Sequence, residues 1–272
     1  MIAGNATLDR ADDGSWRPGG PALYSARIAR ELGARVTVVT RLGPTFDTAE
    51  FAGAEIVALA APDTCRYALD YDSRGTRRLA LLSPGSQIHD NDITIAGRPE
   101  ALILAPAYHE FDGLPTTAAP IVAVCLQGAL RTTDADGNII PAPDAKSCAA
   151  PFLRPGVFAF YSQDDTADPD ALARFIASEG ATAIVTRGHA GATVVTATET
   201  VDYEAIPAHE VDPTGAGDCF ATAFVVMLAE TGDREAACSF AIAAGSLAVE
   251  GPGLSGVPTR ARIEERLRRE AA

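Results

Sequence analysis

The stretch of this sequence best suited to carry out chemistry is a turn of small residues that ends in an aspartate. Residues 212–218 have the sequence DPTGAGD and lead directly into the apolar run 219–228. Small residues let the backbone approach a ligand closely, and the unpaired N–H groups and dipole at a helix N-terminus attract anions. The pattern therefore predicts that a phosphate-type anion is held here by peptide N–H groups.

Asp218 lies in the first turn of the helix predicted at residues 218–230. A carboxylate beside an anion site could accept a proton from a hydroxyl that attacks a phosphoryl group. Aspartate is also a common helix cap. Spacing alone leaves both interpretations of Asp218 open.

A second glycine-containing feature is the pair Gly19-Gly20, which precedes a helix predicted at residues 21–32. Pro21 near the first helical position and Gly33 just beyond the last are the expected start and stop signals. Paired glycines before a helix often form only a turn, so this feature is weak by itself.

The elements that must position these residues alternate between short apolar runs and longer helical patterns. Near-continuous apolar strands of this kind are typical of a parallel sheet covered on both faces, which predicts an α/β fold. A chain of 272 residues is long enough to bury one large core. The predicted strands are 36–40, 101–105, 121–125, 158–161 and 183–186, and the predicted helices are 21–32, 169–178, 218–230, 234–249 and 259–269.

One segment interrupts the alternation. Residues 66–72 and 77–82, separated by a turn at 73–75, predict a β-hairpin with Tyr67, Leu69 and Tyr71 on one face. The pattern is consistent with a projecting flap and with an edge ribbon of the main sheet.

The composition limits the classes of partner. The chain has 22 basic and 36 acidic side chains, a formal charge of −14 at pH 7. Since an acidic surface repels nucleic acids and anionic lipids, we expect no nucleic-acid or membrane partner and favour a small molecule. No run approaches the roughly 20 apolar residues of a membrane helix, and the start lacks signal-peptide features, so we expect a cytoplasmic protein.

Other reactive side chains form no recognisable constellation. The five cysteines are scattered without a C-x-x-C pair, which argues against disulfides and a zinc site. The four histidines have no metal-ligand spacing, and Ser162 and Ser255 lack a nucleophile-elbow context. The mixed charges at residues 262–270 are most simply a solvated helix face.

Taken together, the two glycine-containing stretches resemble the two signatures of the PfkB, or ribokinase-like, family of carbohydrate and nucleoside kinases. The first signature resembles residues 19–33, followed by the strand 36–40, and the second resembles residues 212–218. Their order, their separation and the TRGHAG turn at residues 186–191 also fit, so the resemblance covers nearly the whole chain.

The resemblance implies a ribokinase-like three-layer α/β/α sandwich, with residues 1–272 as a single kinase domain. A small β-hairpin lid, mainly from residues 65–83, would cover the substrate. The implied reaction transfers the γ-phosphoryl group of ATP, with Mg²⁺, to a hydroxyl of a sugar, polyol or nucleoside. Activation by a monovalent cation stays open, and we expect a monomer or weak dimer.

The resemblance also implies roles for individual residues. Asp218 would be the catalytic base, and Asp165 would position the metal. The other implied groups are an anion hole at Gly215, Ala216 and Gly217, a substrate site at Asp9, Gly19, Gly20 and Tyr24, and a nucleotide site at Ser162, Thr186, Gly188 and Gly191.

Three departures from the family pattern matter. Ser162-Gln163-Asp164-Asp165 stands where many relatives have Asn-x-x-Glu, although its carboxylate still suits Mg²⁺. Tyr24 replaces an asparagine that contacts the sugar, which argues against ribose. Only three residues precede Gly4, and residues 10–18 are too few for the usual first lid hairpin, so a small lid is expected.

The leading hypothesis is thus a kinase for a sugar or a cyclic polyol, with inositol-like substrates preferred because the GGPA sequence and Tyr24 resemble that branch. A nucleoside kinase is the alternative within the same fold, since Tyr67, Leu69 and Tyr71 could stack on a base. A catalytically silent binding protein is the alternative from another class. Arg131 lies in a segment that resembles a recurrent family segment, without a role assigned to it.

Overall fold

A computed structural model describes the protein over residues 1–11, 13–71, 77–116 and 119–270, with the backbone alone at 69–71, 77 and 78. The turn predicted at residues 73–75 lies outside these ranges, as do the side chains of Leu69 and Tyr71. In chain order the strands are β1 Ile2–Ala3, β2 Thr7–Arg10, β3 Trp16–Gly19, β4 Thr37–Leu42, β5 Glu55–Ala60, β6 Cys65–Tyr71, β7 Arg77–Ser83, β8 Ala101–Leu104, β9 Ile121–Cys125, β10 Arg131–Thr133, β11 Ile139–Pro141, β12 Val157–Ser162, β13 Thr182–Thr186, β14 Ala192–Val195 and β15 Thr200–Tyr203.

Nine strands of the described residues form the central sheet, in the order β15-β14-β13-β12-β9-β8-β1-β4-β5. All neighbours from β13 to β5 pair in parallel, whereas β14 and β15 add an antiparallel edge. The interior strand β1 has only two residues, and Ile2 pairs with Val38 of β4 on one side and Ile103 of β8 on the other.

Helices cover both faces of the sheet. Leu23, Phe160 and Phe224 belong to the apolar layer on one face, and Ile93, Leu104 and Ile176 to the layer on the other. The predicted three-layer α/β/α sandwich is confirmed. The helices are α1 Pro21–Glu31, α2 Asp90–Ile95, α3 Ala145–Ala149, α4 Pro169–Ser178, α5 Ala216–Thr231, α6 Arg234–Ala248 and α7 Arg260–Glu270.

The apolar runs and helical patterns of the sequence correspond to elements of the core. The helix predicted at residues 169–178 has the same bounds as α4, and its N-cap Asp168 accepts a hydrogen bond from the N–H of Ala171. The helix predicted from residue 218 begins two residues earlier, because Gly215 in the left-handed conformation is its N-cap. Local start signals therefore located these helices well.

A second sheet, with strand order β3-β2-β6-β7, covers one end of the central sheet. Strands β2 and β3 form an antiparallel hairpin in which Asp9 pairs with Arg17, and β2 pairs in parallel with β6. The expectation that residues 10–18 are too few for a lid hairpin is wrong, since a short turn suffices between Arg10 and Trp16. The lid contains four strands and extends beyond residues 65–83.

A further hairpin, β10–β11, lies beside the lid. Arg131 pairs with Pro141, and the two strands form a sheet of their own. The N–H of Leu81 in β7 donates to the carbonyl of Gly137 at 3.0 Å, and Ala80 forms an antiparallel bridge with Asn138. The β10–β11 hairpin is thus joined to the lid by backbone hydrogen bonding.

Over the described residues, none of the helices combines the length and the apolar character that crossing a bilayer would require.

Candidate active site

A cleft of ≈ 970 Å³ lies between the lid and the carboxyl ends of the central parallel strands. Ligand sites of open α/β sheets occur at this edge, where loops and helix N-termini converge. The described residues that line the cleft are Thr7, Asp9, Gly20, Pro21, Tyr24, Tyr67, Leu79, Ala107, Cys125, Gln127, Arg131, Asp134, Asn138, Ile139, Ile140, Pro141, Phe160, Tyr161, Ser162, Asp164, Asp165, Thr186, Pro213, Thr214, Gly215, Gly217 and Asp218.

Asp218 is not the N-cap of α5, so the helix-cap interpretation of this residue does not hold. The N-cap of α5 is Gly215, and Asp218 is the third residue of the helix, with its side chain on the cleft. Burial raises the pKa of Asp218 to about 7, Arg131 acts in the opposite direction, and the charge of Asp165 raises it further. A carboxyl group with a pKa near neutrality can exchange a proton at physiological pH, as a general base must.

Gly215 has a φ of 79°, a left-handed conformation that favours glycine. A Cβ at this position would lie 2.1 Å from Cδ1 of Tyr24, so the tyrosine ring packs directly against the turn. Tyr24 is 5% exposed, and burial is the main reason that its pKa is raised. Tyr24, which the resemblance assigns to the substrate site, thus lines the cleft and packs against the turn that the resemblance assigns to the anion hole.

The anion-hole turn is additionally held at its start. One carboxylate oxygen of Asp212 accepts the N–H of Thr214 at 3.0 Å, and the other accepts the N–H of Gly253 at 2.9 Å. Gly217 lines the cleft together with Gly215, whereas Ala216 is absent from its described lining. Peptide groups at the start of α5 therefore face the cleft, as an anion site requires.

The predicted substrate residues meet where β2 crosses the start of α1. Asp9 and Gly20 line the cleft, and Gly19 lies immediately behind Asp9. A Cβ on Gly20 would lie 2.9 Å from the backbone nitrogen of Thr7, so only glycine permits this approach. Thr7 itself is 2% exposed, and its Oγ1 has no hydrogen-bond partner among the described residues.

The predicted metal residue Asp165 lies at the end of β12. One of its oxygens accepts the N–H of Ser162 at 2.7 Å, and the other accepts Nε2 of Gln127 at 3.4 Å. Burial raises the pKa of Asp165, against the lowering effect of these bonds and of Arg131. Ser162 and Asp165 therefore form one local unit that directs a carboxylate into the cleft.

Thr186, at the end of β13, also lines the cleft, whereas Gly188 and Gly191 follow it in a short helical turn outside the described lining. The structure thus brings together Asp9, Gly20, Tyr24, Ser162, Asp165, Thr186, Gly215, Gly217 and Asp218. Gly19, Ala216, Gly188 and Gly191 lie next to residues of that group without lining the cleft.

One residue next to the cleft and one wall of the cleft have no counterpart among the predicted site residues. Glu110, 1% exposed, accepts the N–H groups of Ala107 at 2.8 Å and Tyr108 at 2.7 Å, and burial raises its pKa to about 7. The β10–β11 hairpin supplies a wall of the cleft. Glu110 has no partner at a recognisable spacing, but residues 134–137, DADG, are a turn signal between two short runs that could have predicted the hairpin.

Comparison with known proteins agrees with this architecture. Residues 158–260 match the family described as pfkB family carbohydrate kinase. Ribokinase of Bacillus subtilis (strain 168) is 44% identical over 84 residues, which are 30% of this chain and 29% of that protein. The matched segment thus spans about 29% of the length of that curated relative.

Solved structures are similar over the whole chain. One solved structure comes from work on the conversion of a pyrophosphate-dependent myo-inositol-1 kinase into a myo-inositol-3 kinase. It has a TM-score of 0.77 at 21% identity, with 99% of each chain covered. Arabidopsis thaliana ribokinase with ribose and ATP has a TM-score of 0.71 at 19% identity, covering 98% of this chain and 97% of that one.

The fold and the placement of the cleft define a ribokinase-like α/β protein. The match over residues 158–260 and the ribokinase homologue support assignment to the pfkB family of carbohydrate kinases. The resemblance predicted from the two glycine-containing stretches is confirmed.

Proposed function

We propose that the protein is a kinase that transfers the γ-phosphoryl group of ATP to a hydroxyl of a sugar or cyclic polyol. The observation that carries this proposal is the position of Asp218. Its carboxyl group lies on the cleft beside the N-terminus of α5, so a proton acceptor and an anion site are adjacent. Positioning and electrostatic stabilisation of this kind account for most of the catalysis in phosphoryl transfer.

The proposed step conserves atoms and charge. The acceptor oxygen forms a bond to the γ-phosphorus, and the bond between that phosphorus and the bridging oxygen breaks with its electron pair leaving on ADP. Asp218 takes the hydroxyl proton as the new bond forms. The N–H groups at Gly215 and Gly217 would bind the phosphoryl oxygens, whose charge is spread over three equatorial positions in the transition state.

The residues present are suited to Mg²⁺. Asp165 and Asp218 are carboxylates in one cleft, and the charge of Asp165 raises the pKa of Asp218, so a cation nearby would relieve their repulsion. No group of three or more His, Cys, Asp or Glu side chains among the described residues is placed to hold a metal. Asp165 would therefore hold Mg²⁺ together with waters and donor phosphates, and the ion would neutralise phosphate charge.

The charges of the cleft favour an uncharged acceptor. Five aspartates but one arginine line it over the described residues, which disfavours a substrate that already carries phosphate. Aspartate carboxylates and the unpartnered hydroxyl of Thr7 are suited to bind several hydroxyl groups. A cyclic polyol such as an inositol fits this donor and acceptor set, and the similar structure with a TM-score of 0.77 is an inositol kinase.

Pyrophosphate is a second candidate for the phosphoryl donor. The same similar structure is described as pyrophosphate-dependent, whereas the similar ribokinase binds ATP. The phosphate-binding half of the cleft, from Thr186 to Gly215, would serve either donor, because both present a terminal phosphoryl group.

An assay over sugars, inositols and nucleosides, with ATP and with pyrophosphate, tests the proposal through the release of ADP or phosphate. We expect transfer from ATP in the presence of Mg²⁺, with a cyclic polyol or sugar preferred over every nucleoside. Turnover of nucleosides alone would instead indicate a nucleoside kinase. Ligand binding without transfer to any acceptor would indicate a silent binding protein.

The rate should depend on pH through Asp218. Its raised pKa of about 7 means that the ionised, proton-accepting form predominates only above neutrality. Since only this form can act as the base, kcat/KM is expected to fall roughly tenfold per pH unit below about pH 6. A pH profile measured between pH 5 and 9, with folding monitored by circular dichroism, checks this. A flat profile over a folded protein would contradict the role of Asp218.

A further inference from the structure

Arg131 is the one cation that lines the cleft over the described residues, opposite five aspartates. Burial raises the pKa of Asp218, of Asp165 and of Tyr67 in β6, and the charge of Arg131 acts in the opposite direction on each, so Arg131 lies within electrostatic range of all three. The ion pairs among the described residues, in which N and O atoms lie within 4.0 Å, all involve arginines other than Arg131. A structural ion pair therefore does not account for Arg131.

The backbone at Arg131 is held from the side of the central sheet. The ring Nε2 of His109 hydrogen-bonds the carbonyl oxygen of Arg131 at 2.6 Å, and the N–H of His109 donates to Gly128 at 3.1 Å. His109 is the one non-glycine residue with positive φ, 52°, in the described part of the chain. Strained conformations persist where the surroundings enforce them, often at functional sites.

The far end of the β10–β11 hairpin is held by the lid. Gly137 accepts the N–H of Leu81, and Asn138 bridges Ala80, as described above. Within the turn, Asp134 accepts the N–H of Asn138 and its side-chain amide, both at 2.9 Å. The backbone that carries Arg131 is thus held at both ends of the hairpin, so an anion can bind its guanidinium without the entropy cost of ordering the hairpin.

We propose that Arg131, on the wall of the cleft that the β10–β11 hairpin supplies, binds the phosphoryl group during its transfer. This proposal rests on the proposed function. In the step described above Arg131 neither gains nor loses a proton, and its guanidinium donates hydrogen bonds to oxygens of the transferring group. The aspartates of the cleft repel the negative charge of the phosphoryl group. A cation in the cleft would offset this repulsion, as arginines do in other phosphoryl-transfer enzymes.

Three substitutions test the role of Arg131. Arg131→Gln is expected to lower kcat on the order of 10²–10³-fold, with a smaller change in the acceptor KM. Arg131→Lys should retain part of the lost activity, since it keeps the charge without the fork of donors. Arg131→Ala should regain activity when guanidinium is added at millimolar concentration. Arg154→Gln, which removes an exposed cation outside the cleft, is the matched control and should match the wild type.

A binding measurement keeps the test independent of turnover. Mg-ADP with aluminium fluoride mimics the transferring phosphoryl group, so its affinity should fall at least tenfold in Arg131→Gln while the affinity for Mg-ADP alone stays unchanged. Equal affinity for the mimic in both proteins, or wild-type kcat in Arg131→Gln, would overturn the proposal. If Asp218→Asn abolishes turnover and Arg131→Gln does not, the proposed function stands and only the role of Arg131 fails.

Discussion

Replacement of Asp218 by asparagine is expected to lower kcat by about 10²–10⁴-fold, because the substituted amide cannot accept the hydroxyl proton. The substitution keeps the size of the side chain and leaves the α5 N-terminus in place. Binding of ATP should therefore persist, measured by calorimetry, while ADP release with the best acceptor is lost. Wild-type turnover with normal ATP binding would show that another group takes the proton.

The same variant makes a second measurement informative. Burial raises the pKa of Asp218 to about 7, well above its ordinary value of 3.8, so the folded state binds the proton more tightly than the unfolded state. The contribution of the protonated group to stability is fully present below about pH 4 and is lost as the pH rises through 7. Asp218→Asn should consequently be at least as stable as the wild type at pH 8, measured by thermal unfolding.

Exposed Asp164 provides the matched control for the loss of activity. It lines the same cleft but is exposed and is not among the groups that shift the pKa of Asp218, so Asp164→Asn removes one negative charge without removing the proposed base. We expect this variant to keep most of the turnover. An equal loss in both variants would indicate that the net charge of the cleft matters and that a specific proton acceptor does not.

Replacement of Gly215 by alanine is expected to have the second large effect. The new Cβ would meet the buried ring of Tyr24 at 2.1 Å, and the left-handed φ of 79° would be strained even with free space. The turn must shift, which displaces the N–H groups that face the cleft. Activity should fall on the order of 10²–10³-fold, and unfolding measured with urea should show a loss of about 2–4 kcal/mol.

A matching substitution at Gly232, at the other end of α5, distinguishes the effect of backbone strain from that of the steric clash with Tyr24. Its φ of 69° is also left-handed, but a Cβ there would meet no atom within 4 Å. Gly232→Ala should cost only about 1–2 kcal/mol and leave turnover unchanged. If Tyr24 is the source of the additional loss, the double variant Tyr24→Ala, Gly215→Ala should be more stable than the two single effects predict when summed.

Long-range pairing limited what could be predicted about the lid. The hairpin at residues 66–82 was evident because alternating apolar residues and a glycine-containing turn are local signals. The parallel pairing of Thr7 with Cys65 joins strands that are far apart in sequence, and four residues of β2 carry no pattern that indicates it. A lid of four strands therefore differs from the small hairpin lid that was expected.

The role of Tyr24 shows the same limit within the site. The resemblance of residues 19–33 to a family signature, in which Tyr24 replaces an asparagine, implied a residue near the substrate, and the structure places Tyr24 on the cleft. Its packing against Gly215 depends on the contact between α1 and α5, whose sequences are almost 200 residues apart. A pattern along one helix cannot reveal which turn of another helix will cover it.

By itself the sequence determined the α/β class, the five longest helices to within two residues and the turn that ends in Asp218, because these depend on hydrophobic periodicity and on capping groups a few residues apart. Only the tertiary structure decided that Asp165, Arg131 and the β10–β11 hairpin meet Asp218 in one cleft. Asp165 follows β12 of the central sheet, whereas Arg131 lies in the separate β10–β11 sheet that is hydrogen-bonded to the lid, so their meeting depends on contacts between residues far apart in sequence. The pKa of Asp218 follows from that burial, since its ordinary value would apply in the unfolded chain.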